Sequence, residues 1–155
     1  MLPKTRALAR EAGRKSIVLL KNDGDLLPLP RSGKKIALIG PFASGQHDLV
    51  GPWVVYGDDA KSVDLAAGVR AAVTDPASII VAQGSNVEEP LAGGIEQAVA
   101  AARQADIVLL AIGEHAGMSG EAQSRTEIVV PEPQQKLAEA VAAVGRPIVV
   151  VASTL

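Results

Sequence analysis

The sequence predicts an α/β protein: a mostly parallel sheet with helices on both faces, three layers deep. Three observations carry this. Apolar runs at residues 34–40, 78–82, 106–112 and 147–152 show no polar alternation, the pattern of strands buried on both sides. Stretches with apolar residues at helical spacing separate them, and strand–helix alternation defines a parallel sheet with crossover helices. The composition is 48% hydrophobic but 2% aromatic, with Phe42, Trp53 and Tyr56 as the only aromatics. The core must therefore be built from Ala, Val, Leu and Ile, side chains that let helices lie close against a sheet.

Taken in order, residues 4–21 carry Leu8, Ala12, Lys15/Ser16 and Leu19 at helical spacing and predict a helix. Asn22-Asp23-Gly24-Asp25 punctuates it, and Pro28 and Pro30 hold residues 26–30 extended. The run KKIALIG is the first strand. A loop over residues 41–63 contains all three aromatics, and structureless loops of that length are commonly functional. A short helix at 64–73 shows Leu65, Val69 and Val73 on one face. SIIVA is the second strand, Glu89-Pro90 a turn, 91–104 an Ala-rich helix and DIVLLAI the third strand. A second long loop spans 113–130. Pro131 and Pro133 open a helix reaching Val144, where a proline's missing N–H costs nothing, and Gly145 ends it. PIVVVA is the fourth strand. The order is flavodoxin- or Rossmann-like. Residues 1–33 form a helix and linker expected to pack on the domain, and 34–155 the sandwich. Because the chain ends just past a strand, the sandwich is expected to be incomplete at its C-terminus, leaving an apolar edge open to self-association.

Composition excludes several classes. Net charge is −2 and the pI about 5.7, without the basic footprint of a nucleic-acid surface. Lys4, Arg6, Arg10, Arg14 and Lys15 cluster, and read as the solvated face of the first helix. There is no cysteine, hence no disulfide or thiolate metal site. No apolar run reaches the ~20 residues of a membrane span. MLPKTRALAR has no apolar h-region, so a signal peptide would have to lie upstream.

Ligands of such sheets bind outside the carboxyl ends of the strands. The two long loops emerge there, carrying every aromatic and both histidines, His47 and His115. The second loop holds Glu114, Glu121 and Glu127 with Ser119 and Arg125. A loop carboxyl at a pocket rim can act as a general acid; equally, such glutamates are solvated, or Glu114 or Glu127 pairs with Arg125 to hold the loop. In the first loop, Trp53 and Tyr56 offer apolar faces with polar tips for a sugar ring, though Trp53 is as readily a plug beneath the loop. Residues 40–45 lack both G-x-G-x-x-G and the Walker lysine. His47 and His115 have no metal-ligand spacing and read as loop hydrogen-bonders. Asp58-Asp59 reads as a solvated turn. No G-x-S-x-G nucleophile elbow is present. No cofactor is expected.

The segments AREAGRKSIVLLKNDGDLLPL, KKIALIGPFA, the G-x-W at Gly51 to Trp53, ADIVLLAIGE and SGEAQSRTEIVVPEPQ together resemble the second domain of family 3 glycoside hydrolases, most of all bacterial β-glucosidases of the periplasmic type. The resemblance implies a periplasmic or secreted parent enzyme. It also implies an N-terminal TIM-like barrel, absent here, bearing an aspartate nucleophile, and an α/β sandwich lending the general acid/base over the barrel mouth. Family members act with retention on glycosides such as oligosaccharides or aryl β-glucosides, which calls for carboxyl groups ~5–5.5 Å apart. The family's E-A-x-S-R segment matches Glu121-Ala122-Gln123-Ser124-Arg125, so the resemblance assigns the acid/base role to Glu121, with Glu114 as second choice. Trp53, Tyr56, Ser119 and Arg125 fall to substrate binding. Without a nucleophile the chain alone is expected to be inactive. The readings set against this are a non-catalytic carbohydrate-binding module and a flavodoxin-like nucleotide binder.

Overall fold

The computed structural model describes residues 3–153. Four parallel strands, β1 (Ile36–Ile39), β2 (Ile79–Ala82), β3 (Ile107–Gly113) and β4 (Ile148–Ser153), form one sheet in the order β2-β1-β3-β4. The register pairs Leu38 with Val81 on one side and with Leu109 on the other, and Leu110 with Val150. The order reverses between β1 and β3. The carboxyl ends of those two strands are thus the switch point of a doubly wound sheet, where connections diverge and leave a crevice.

β1 and β3 are buried along their whole lengths, as their unbroken apolar runs require. On one face, Ala37, Ile39, Val108, Leu110 and Ile112 pack against α3 (Gly94–Gln104) and α4 (Glu132–Ala142), through Ala98, Ala101 and Ala102 of the first and Leu137 and Val141 of the second. On the other, Ile36, Leu38, Leu109 and Ala111 meet Ala66 of α2 (Leu65–Ala72), with Ala43, Phe42 and Leu29 completing the layer. The alanine-rich face of α3 is what the shortage of aromatics anticipated. α2 starts where Asp64 caps it: its Oδ1 accepts from Ala67 N–H at 2.7 Å, and its Oδ2 accepts from Gly45 N–H at 3.1 Å, pinning the loop after β1.

Two helix boundaries differ from the sequence reading by three residues or more. The first helix, α1 (Pro3–Ser16), stops five residues early. Gly13 weakens its last turn, Ser16 Oγ bonds back to Gly13 C=O at 2.9 Å, and the β-branched Ile17 and Val18 follow. α1 buries none of its residues and reaches the domain through Arg6, which donates to Lys61 C=O at 3.4 Å; the linker packs closer, with Leu29 against the core and residues 18–23, 26 and 27 lining a groove with Ile148 to Val150 of β4. α3 starts at Gly94 rather than residue 91, because Gly93 is left-handed (φ 70°). A side chain on Gly94 would come within 2.3 Å of Gly84 C=O, so the close approach of helix and loop needs glycine there. The long loops are not structureless either: short 3-10 turns at His47–Val50, Asp59–Lys61 and Ala116–Met118 order them.

β4 is one of the two edge strands. Its Val150 is 55% and its Val151 38% exposed, with no charge inside the strand.

Candidate functional site

The loops that follow β1 and β3 are joined at the switch point. Asp48 Oδ1 accepts from Ala116 N–H at 3.0 Å. Gly120 lies against Pro52, whose ring a side chain at 120 would meet at 3.3 Å. Between them opens a cleft of about 360 Å³, lined by His47, Pro52 and Trp53 from the first loop and by Ser119, Glu121 and Gln123 from the second.

Glu121 stands at the apex of a turn. Gln123 N–H closes the turn onto Gly120 C=O at 3.3 Å, leaving Glu121 and Ala122 at its centre. Gly120 has φ 114° and Ala122 φ 63°. Glycine is the natural occupant of the left-handed region, and alanine there costs roughly 1–2 kcal/mol. The backbone on both sides of Glu121 is thus held out of ordinary conformations, and its side chain is exposed.

Glu114 is engaged differently. It forms an ion pair with Arg125, both side chains about a quarter exposed (27% and 24%), and Arg125 also donates to Val129 C=O at 2.8 Å. Of the alternatives open in the sequence, Glu114 rather than Glu127 takes the arginine. The pair clasps the two ends of the loop and leaves Glu121 in the span between them. Ser119 and Trp53 line the cleft, Trp53 with 69% of its surface exposed, so the reading of Trp53 as a plug beneath the loop does not hold. Tyr56 is 98% exposed and lies outside the cleft lining.

The histidines are hydrogen-bonders. His47 Nδ1 meets Asp59 Oδ2 at 2.9 Å, so Asp59 is not merely a solvated turn residue. The hydrogen bond that His47 donates to Asp59, then the charges of Asp59 and Asp48, hold the imidazole above its ordinary pKa. A raised folded-state pKa means the contribution is complete below the unfolded value and is lost as pH rises through the folded one. An NMR titration should therefore find His47 titrating above an unperturbed imidazole, and Asp59→Asn should bring it back toward that value; an unchanged midpoint would show that the pair does not form. Among the described residues, no three His, Cys, Asp or Glu side chains converge as a metal-binding group. No helix there is long and apolar enough to cross a membrane.

The sequence reading missed Gln134. It is fully buried at the start of α4, accepting from Gly113 N–H at 2.8 Å and donating to Gly113 C=O and to Val87 C=O, both at 2.9 Å. It thereby fixes the residue at which the acidic loop leaves β3. The available signal was its place on the stripe Gln134, Leu137, Val141, where a polar residue at a core position needs buried partners.

Sheet order, crevice and acidic loop define a doubly wound α/β sandwich with a loop-built cleft at its carboxyl edge. The family model of the glycosyl hydrolase family 3 C-terminal domain matches residues 17–155, and the chain belongs to that family. Its first matched residue is the one after α1 ends. A periplasmic β-glucosidase of Salmonella typhimurium is 41% identical over 94% of this chain and 22% of its own length. A β-xylosidase of Formosa agariphila is 32% identical over 94% of this chain and 21% of its own. The crystal structure of a Listeria innocua β-glucosidase with isofagomine superposes with a TM-score of 0.89 at 35% identity, covering 98% of this chain and 20% of that one. The chain thus spans about a fifth of the length of these relatives.

Proposed function

We propose that this chain is the acid/base-bearing domain of a retaining β-glucosidase, with Glu121 donating the proton to the leaving oxygen and later taking one from water. The observation that carries the reading is the position of Glu121: in the family's E-A-x-S-R segment, at the apex of a strained turn, in a cleft with Trp53 and Ser119. Glu114 is the weaker choice because Arg125 already neutralises it. Arg125 then serves the site by holding the loop, and Trp53, with Ser119, by offering a surface to the sugar or its aglycone. Tyr56 joins only if a partner domain closes over the first loop.

The nucleophile, an aspartate, lies in an N-terminal barrel-like domain. Terminal β-D-glucosides are the substrates favoured by the names of the Salmonella and Listeria relatives, and a periplasmic or secreted location by that of the Salmonella relative. The isolated chain should not turn over an aryl β-glucoside, since an acid without a nucleophile has no route to a glycosyl-enzyme. Turnover that disappears in Glu121→Ala would sink that expectation. Grafted into the Salmonella enzyme in place of its aligned segment, the chain should support hydrolysis; a folded chimera without activity would refute the domain assignment.

The same proposal covers self-association of the isolated chain. An uncharged edge strand with Val150 and Val151 exposed is a template for pairing with a second copy. Sedimentation equilibrium should detect a dimer that Val150→Lys dissociates, and a strictly monomeric wild type would dispose of it.

A further inference from the structure

The 3-10 turn Ala116–Met118 lies between the clasp at Glu114 and the acid at Glu121, and its N–H groups are all committed. Ala116 N–H goes to Asp48 Oδ1 at 3.0 Å, Gly117 N–H to His115 Nδ1 at 3.0 Å, and Met118 N–H to His115 C=O at 2.9 Å. The bond from Gly117 decides the state of the His115 ring. A backbone N–H can only donate, so Nδ1 must present its lone pair, and the proton of the neutral imidazole must sit on Nε2. Nε2 lies 2.7 Å from Glu88 Oε2, which can only accept when ionised. Glu88 belongs to the segment after β2, and its neighbour Val87 is held by Gln134 through the 2.9 Å bond to Val87 C=O. A connected chain thus links the buried start of α4, through Val87 and Glu88, to His115 and the turn that precedes Glu121.

We infer that His115, held by Glu88 in its Nε2–H tautomer, is a positioning residue for the loop that carries Glu121. His115 reaches no cleft-lining position itself; it acts by keeping the turn wound, so that Ser119 and Glu121 enter the cleft from a fixed backbone. As a partly exposed hydrogen bond from a neutral imidazole, the contact between His115 and Glu88 contributes little to stability. The role lies in direction: one ring nitrogen caps the turn only while the other is occupied. The catalytic half of this inference rests on the acid/base reading of Glu121; the tautomer does not.

The test has two arms. On the chain itself, ¹⁵N NMR of the imidazole at neutral pH should show an unprotonated Nδ1 and a protonated Nε2 on His115. Glu88→Leu should mix the tautomers and speed hydrogen exchange at Gly117 N–H, whereas Glu88→Gln, which keeps an acceptor, should do so far less. A protonated Nδ1, or Gly117 exchange unmoved in Glu88→Leu, overturns the inference whatever the chimera does. In the chimera with the Salmonella enzyme, His115→Leu should lower kcat about tenfold with KM little changed, as expected when a reacting group is misplaced rather than lost. His115→Asn, which can still cap Gly117, should recover most of that. Full kcat in His115→Leu also overturns the inference. Loss of all activity in the unmutated chimera instead strikes the acid/base reading, and the NMR arm still decides the tautomer.

Discussion

Glu121→Gln, made in the chimera, should lower kcat for an alkyl β-glucoside by about 10²–10⁴-fold, the range expected when a positioned general acid is removed. The amide keeps the size of the side chain but cannot deliver a proton to a poor leaving group. An aryl glucoside with an acidic phenol departs without that proton, so its first step should be nearly spared. Its second step should then limit turnover, because the carboxylate that would take the proton from water is gone. The same residue serves both steps in a retaining mechanism. Added azide, a nucleophile that needs no general base, should restore turnover and yield a glycosyl azide. This pattern separates an acid/base from a residue that merely shapes the cleft, which would slow both substrates alike and gain nothing from azide. Equal losses on the two substrates without rescue would remove Glu121 from the role. Glu114→Gln should behave as the loss of a clasp: Arg125 gives up its charged partner, and substrate leaving-group quality should not matter.

The fold could be read closely because strands buried on both faces leave an unmistakable trace. The runs around Leu38 and Leu109 are apolar without alternation, and both strands are buried throughout. Helix ends were harder. The stop of α1 at Ser16 and the start of α3 at Gly94 depend on single glycines and on what packs nearby, which periodicity does not encode. In the site, the two loops and their cleft follow from topology: β1 and β3 are neighbours, so whatever follows them converges. Which carboxylate Arg125 takes does not follow from spacing, because Glu121 and Glu127 stand within four residues of it, yet its partner is Glu114, eleven residues away. The resemblance alone singled out Glu121; the path of the loop adds that Arg125 takes Glu114. Tyr56 shows the limit of proximity in sequence: three residues beyond Trp53, it projects away from the cleft lining.

Gln134→Leu should produce the largest loss of stability of any substitution near the site, on the order of 3–5 kcal/mol. Leucine nearly matches the volume of glutamine, so little cavity results and the loss is one of hydrogen bonds. It strands Gly113 N–H and C=O in full burial and Val87 C=O in partial burial, and each orphaned buried group costs roughly 1–3 kcal/mol, less than additively. Nearby rearrangement is restricted, because a side chain on Gly113 itself would meet Ser153 C=O at 2.0 Å and the β3–β4 pairing is tight there. Urea unfolding should show the midpoint falling with an unchanged slope. Gln134→Glu gives the complementary result. Ionised, it still accepts from Gly113 N–H but faces two carbonyls without a donor, so burial and those carbonyls raise its pKa in the folded state above the unfolded value near 4.3. A raised carboxyl pKa makes the variant most stable below the unfolded value, with stability declining as pH rises through the folded one. A pH-independent difference between Gln134→Glu and the parent chain, or a Gln134→Leu midpoint equal to that of the parent, would mean that the anchor of the acidic loop lies elsewhere. If the losses appear as expected, the position of Glu121 depends on an amide that touches no substrate, buried where α4 meets the end of β3.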